Sequence, residues 1–296
     1  MRRWIIGLLC AATLAVAGCS FVRLGYKQGA ELTYWWLDRY ADFDSAQSAR
    51  VRDALAGWFA WHRRDQLPDY ARLLARAQDE VRVPLSGEQV CTWIDEGRKR
   101  AYIALEHALP SIAEIAVTLT PRQIEQIERR QAKANAEYRD ESLQPEPAKR
   151  AKAWLERSVE RAETLYGKLE TAQRDRLADA LAKSPYDAER AYAQRRRSQQ
   201  ETVQILRRAA EGASRAATQE ALAGYAQRLQ RPLADADEAR HAVQVTRYSC
   251  ATSAALQQHH LRTAPACSRQ ACRVGRRCAG VGGRSAALIE LTLCTF

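Results

Sequence analysis

Leu119-Thr120-Pro121-Arg122-Gln123 reads as the start of a helix before any other part of the chain is considered. Thr120 carries a hydroxyl that can accept from the N–H groups of a first turn. Pro121 falls at the first helical position, where its missing N–H removes no bond, and Gln123 stands where its amide can reach back to the cap. The pattern recurs in Leu85-Ser86-Gly87-Glu88-Gln89 and, with Asp44 as the cap, in Asp44-Ser45-Ala46-Gln47. Leu169-Glu170-Thr171-Ala172-Gln173 keeps the spacing without the hydroxyl. The Leu-led starts are unequally spaced along the chain, so they do not define a tandem repeat.

Between these starts the apolar residues follow helical spacing. Val51, Leu55, Trp58 and Phe59 lead toward Leu74, with Pro68 expected to kink or restart that helix. Trp154, Leu155, Val159, Ala162, Leu165, Tyr166 and Leu169 form a second stripe. Glu146-Pro147 marks a hinge near residues 143–148, Ser184-Pro185 opens a further long helix, and Pro232 separates it from a last one over residues 234–258. Composition agrees: among 296 residues, 54 Ala and 39 Arg stand against 14 Gly, 9 Pro and a single Asn. Strand-favouring residues and turn-formers are too sparse for a sandwich, barrel or dinucleotide-binding fold. The expected fold is all-α, an elongated antiparallel bundle of about six to eight helices.

The two ends depart from this pattern. Arg2-Arg3, an apolar run over residues 4–16 and Ala17-Gly18-Cys19 have the layout of a secretory signal, and the run is too short to span a bilayer. Val16-Ala17-Gly18-Cys19 resembles the bacterial lipobox. That resemblance implies cleavage of residues 1–18, acylation of Cys19 and, with Ser20 rather than Asp following, an address at the periplasmic side of the outer membrane. The helical body is expected over residues 19–258. From His259 onward the helical pattern gives way to Cys267, Cys272, Cys278 and Cys294 among Arg, Gly and Ser. Their spacing matches no zinc knuckle. Residues 259–296 read as an aberrant tail, either disordered or translated in a shifted frame.

The net charge of +11 shrinks on division. Two Arg precede Cys19, and six Arg with one Glu follow residue 258, leaving 38 basic and 34 acidic residues in the body. Such a mixed surface is no footprint for nucleic acid, which is not an expected partner.

Two family resemblances bear on function. Leu119-Thr120-Pro121-Arg122-Gln123 resembles the Leu-Thr-x-x-Gln signature of Spy/CpxP-type periplasmic chaperones, which implies a holdase-like role. A longer resemblance, over most of residues 19–258, is to a family of proteobacterial lipoproteins of unknown function. It is carried by the lipobox, by Tyr34-Trp35-Trp36-Leu37-Asp38-Arg39-Tyr40 with Asp42-Phe43-Asp44, and by Cys250-Ala251-Thr252-Ser253.

Four of the seven Trp, namely Trp35, Trp36, Trp58 and Trp61, fall close together. They read either as a core joining the first two helices or as a patch for a partner or a bilayer. Trp35 and Trp36, adjacent on a helix, cannot both point inward. His62, beside Arg63-Arg64, reads as part of a solvated face, and neither it nor His107 or His241 has neighbours completing a metal set. Arg195-Arg196-Arg197, between Glu189 and Glu201, reads as a solvated face or a contact for lipid phosphate. Setting aside the signal, lipobox and tail cysteines leaves Cys91 and Cys250, expected to form a disulfide in an oxidising periplasm. No catalytic motif, cofactor or metal is expected. The sequence therefore points to a lipid-anchored binding or structural lipoprotein that meets the membrane through its acyl chains and an envelope protein through its body. A chaperone is the alternative.

Overall fold

The computed structural model describes residue 26, residues 28–230 and residues 235–263. The signal, Cys19 and residues 264–296 lie outside the described residues, so the expectations placed there are not addressed by the fold.

The described chain is all-α, with no strand among the described residues. In order, the helices are α1 (Gly29–Ala41), α2 (Ser45–Trp61), a π-helical turn (His62–Gln66), α3 (Leu67–Glu80), α4 (Gly87–Ala116), α5 (Pro121–Ser142), α6 (Pro147–Tyr166), α7 (Thr171–Ala182), α8 (Ala188–Ala210), α9 (Arg215–Gln230) and α10 (Ala236–Thr263). Because α2, the π turn and α3 form one continuous rod, the described residues make nine helical rods, slightly more than expected. One addition comes from a break inside the long helix expected from Ser184-Pro185. Gly212 adopts φ +105°, which L residues rarely enter, and the Ser214 hydroxyl accepts from Ala217 N–H at 3.1 Å to start α9. At the other end of the chain, α10 continues to Thr263, past the break expected at His259.

Caps set most of the boundaries. Asp44, Ser86 and Thr120 each accept from the N–H three residues on, at 2.8, 3.2 and 3.3 Å. Gln47, Gln89 and Gln123 accept from the cap N–H groups in return, at 3.1, 2.8 and 2.9 Å. At the start without a hydroxyl, Gln173 still accepts from Glu170 N–H at 2.9 Å. Pro68 acts as expected of an interior proline, through a change of register. It has no N–H to give the Arg64 carbonyl, and Leu67 N–H bonds five residues back to His62.

α4 is the spine. Its first turns lie against α10, where the Cys91 and Cys250 sulfurs are bonded with Cα atoms 5.4 Å apart. A Cβ at Gly87 would come within 3.1 Å of the Ala251 backbone, so any larger residue would push α10 back by a few tenths of an ångström. Midway, α4 meets α2, and Trp58 Nε1 donates to the Ala104 carbonyl at 2.9 Å. Its last turns pack against α8 and α9 through Leu109, Ala113, Ile205 and Leu222. A second core joins α4, α5 and α8 through Ala116, Leu119, Ile124, Val203, Leu206 and Ala209. Alanine at the contacts lets helices approach closely but buries little area per residue. Val51 and Cys250 are the largest fully buried side chains among the described residues.

Polar junctions hold much of the remainder. Arg100 pairs with Asp69 at 2.6 Å and with Glu96 at 3.2 Å, linking α3 to α4 and holding the Asp69 carboxyl below its usual range. Arg197 pairs with Glu238 at 2.7 Å, and Arg195 donates to Asn135 at 2.9 Å. Two members of the arginine triplet thus take part in junctions between elements.

Candidate functional site

α1 presents an apolar face that no other described element covers. Leu32, Trp35 and Trp36 lie at i, i+3 and i+4, with side chains 58%, 55% and 58% exposed. The opposite side of α1 fixes this orientation. Tyr34 and Ala41 are buried, the Tyr34 hydroxyl donates to Ser48 at 2.9 Å, and the Arg52 guanidinium lies 3.6 Å over the Tyr34 ring. Both acids of α1 are engaged. Glu31 receives a two-pronged bond from Arg52 at 2.9 and 3.0 Å, and Asp38 accepts from Phe43 N–H at 3.0 Å. Arg39, at the end of the exposed stripe, makes no ion pair among the described residues. Trp36 leans on Tyr40 with ring centroids 5.0 Å apart, and neither exposed indole N–H has a hydrogen-bond partner among the described residues.

Trp58 and Trp61 do not join that face. They point to α4, where Trp61 stacks on His107 with centroids 3.7 Å apart and planes within 9°. Trp58 stacks on His62 at 4.8 Å. The four tryptophans therefore divide into an outward pair and an inner pair.

His62 belongs to the inner cluster, a correction to its reading as a solvated residue. Only 9% of it is exposed. It lies at the start of the π turn, between Trp58, Tyr70 (5.3 Å, edge-on) and Tyr26, whose hydroxyl is 2.8 Å from His62 Nδ1. Arg63 and Arg64 remain exposed, so neighbouring charges misled the sequence reading. The useful signal was Pro68, which forces the register change that accompanies the inward placement of His62. Burial pushes the His62 pKa below its ordinary 6.5 and raises those of Tyr26 and Tyr70.

A pH dependence follows from this environment. With the folded value depressed, the unfolded chain binds the proton more readily, so stability falls as pH drops below about 6.5. The slope from this group cannot exceed about 1.4 kcal/mol per pH unit. Urea unfolding between pH 7.5 and 5 should show the loss, and His62→Phe should flatten it. An identical slope in the variant would assign the effect elsewhere. Carboxylates such as Asp69 lose their contribution in a separate window, below their ordinary value of 3.8.

Among the described residues, no group of three His, Cys, Asp or Glu side chains is placed to hold a metal ion, and no helix is long and apolar enough to cross a membrane. Open clefts line α6 with α7, at Leu155, Val159, Glu163 and Arg174, and one face of α10, at Ala239, Val243 and Tyr248.

The residues of Leu119-Thr120-Pro121-Arg122-Gln123 have local duties. Leu119 enters the core, Thr120 caps α5, and Gln123 is buried at a junction with Gln47.

Comparison with curated proteins and with solved structures returns no match. A family described as a family of unknown function, DUF6279, matches residues 39–231. The match begins within α1, after its exposed tryptophans, and ends before α10. As it covers well over half of the 296 residues, the chain belongs to this family of unknown function.

Proposed function

We propose that this protein is a lipid-anchored lipoprotein of the bacterial cell envelope, held to the periplasmic side of the outer membrane and acting by binding or as a structural module rather than by catalysis. Arg2-Arg3, the apolar run and Val16-Ala17-Gly18-Cys19 support the address. The observation that carries the binding role is the uncovered face of Leu32, Trp35 and Trp36, only 13 to 17 residues beyond Cys19. A contiguous exposed apolar stripe marks an interaction surface.

The test is mass spectrometry of the mature N-terminus together with membrane fractionation. The expected mature chain begins at an acylated Cys19, and Cys19→Ser should move the protein from the membrane to the soluble fraction. An unmodified Cys19 in the native protein, or unchanged fractionation of the variant, would overturn the anchor.

A further inference from the structure

We propose that the occupant of the Leu32, Trp35 and Trp36 face is the interfacial layer of the phospholipid bilayer itself, so that α1 lies against the membrane and sets the orientation of the helical body. This deepens the lipoprotein reading and rests on it.

Chain length makes the contact reachable. Gly29, the first residue of α1, is ten residues beyond Cys19, and a chain of ten steps spans at most about 35 Å. An acylated Cys19 would therefore keep α1 close to the bilayer. The chemistry of the face fits the zone between headgroups and acyl chains. Two exposed indoles combine a large apolar ring with an N–H that has no partner among the described residues, and such amphipathic rings concentrate at membrane interfaces. Charge fits as well. Arg52 neutralises Glu31, the Asp38 carboxylate is turned to the Phe43 N–H at the end of α1, and exposed Arg39, one turn beyond Trp35 and Trp36, continues their stripe and can meet lipid phosphate. The buried contacts of Tyr34 and Ala41 with the bundle hold the indoles outward without requiring α1 to unfold.

The experiment uses the purified native protein in vesicles of phosphatidylethanolamine and phosphatidylglycerol containing lipid brominated near the headgroup end of its acyl chains. Bromine quenches only indoles within contact distance, so a substantial part of the tryptophan emission should be lost. Trp35→Phe/Trp36→Phe should abolish at least half of that quenching, whereas Trp154→Phe should leave it unchanged. Without bromolipid, circular dichroism of the variants confirms the fold. Quenching that is unchanged in the double variant would overturn the proposal. So would a photo-crosslinker at position 36 that captures a second copy of the chain, or another protein, instead of lipid. Mass spectrometry of Cys19 on the same sample separates the two failures. An unacylated protein whose Trp35 and Trp36 are quenched refutes the anchor and keeps the face, and an acylated protein whose Trp35 and Trp36 are not quenched does the reverse.

Discussion

Replacing Cys91 and Cys250 together by Ala should lower the unfolding free energy by about 3–5 kcal/mol, among the largest losses available to any pair of substitutions in this chain. The bond joins residues 159 apart. Closing so long a loop restricts the unfolded chain by roughly 5 kcal/mol in the chain-entropy account, with measured values often lower. The folded side of the argument points the same way. α10 packs mainly against α4 and α7, with Tyr248 donating to the Ala180 carbonyl at 2.6 Å, and reaches α8 through the Arg197–Glu238 ion pair. Gln257 then grips the turn before α4, donating to the Val81 and Val83 carbonyls at 2.8 and 2.9 Å and accepting from Leu85 N–H at 3.1 Å. Gln258 adds a bond to the Leu85 carbonyl at 2.6 Å. The grip on this turn is polar, and the buried residues of α10 are Cys250, Ala254 and Gln257, with no large apolar side chain among them, so without the covalent link α10 should open locally before the whole molecule unfolds. Urea titration and hydrogen exchange would check this, with α10 amides losing protection first. A variant within about 1 kcal/mol of the native protein, or recovery of both residues as free thiols from the native one, would refute it.

What was legible in the sequence was local. The helix starts at Asp44, Ser86 and Thr120 could be read because a capping box is contained in four residues and its chemistry needs nothing from elsewhere. Even the start lacking a hydroxyl, at Glu170, forms with Gln173 in the expected place. The π turn was half legible: Pro68 announces a disturbance, but the sense of the register change decides whether His62 faces water or Trp58, and that depends on what α4 and Tyr26 place beside it. The division of the tryptophans was legible only as a constraint, since adjacent Trp35 and Trp36 could not both be buried. That both lie outward follows from Tyr34 and Ala41 occupying the inner side of α1. The break at Gly212 was missed because the residues on either side, in α8 and α9, are equally good helix formers. Least legible was the second duty of the capping glutamines. A Gln at the third helical position uses its carbonyl oxygen toward the cap and leaves its NH2 group free, and the sequence does not say where that group goes.

The NH2 groups of Gln47 and Gln123 go to each other's side, and this makes Gln123→Leu the second large expected loss, about 3 kcal/mol. Both side chains are buried where the turn before α2 meets the turn before α5. Gln47 Nε2 donates to Gln123 Oε1 at 3.2 Å, and Gln123 Nε2 donates to Gln47 Oε1 at 2.6 Å, closing a paired-amide ring. The remaining hydrogen of each amide crosses to the other turn, from Gln47 to the Thr118 carbonyl at 2.7 Å and from Gln123 to the Asp42 carbonyl at 3.0 Å. Asp42 is the one non-glycine described residue at positive φ, 52°, so its turn needs an outside partner to hold it. Each amide thereby satisfies its own cap, its twin and the opposite loop. Removing Gln123 takes two bonds from the buried Gln47 amide, a loss of about 1–3 kcal/mol before relaxation, and removes the partners of the Asp42 carbonyl and the Thr120 N–H at the exposed edge of the junction, worth about 0.5–1.5 kcal/mol each. The same logic predicts the sign of a double-mutant cycle. Once Gln123 is gone, Gln47 is a buried amide with half its bonds lost, so adding Gln47→Leu should cost less than it does in the native protein, by about 1–2 kcal/mol. Chemical denaturation of the two single variants and the double variant measures this directly. Additive losses would show that the two glutamines act only as separate caps, and a single variant within about 1 kcal/mol of native would show that water replaces the lost bonds at this junction.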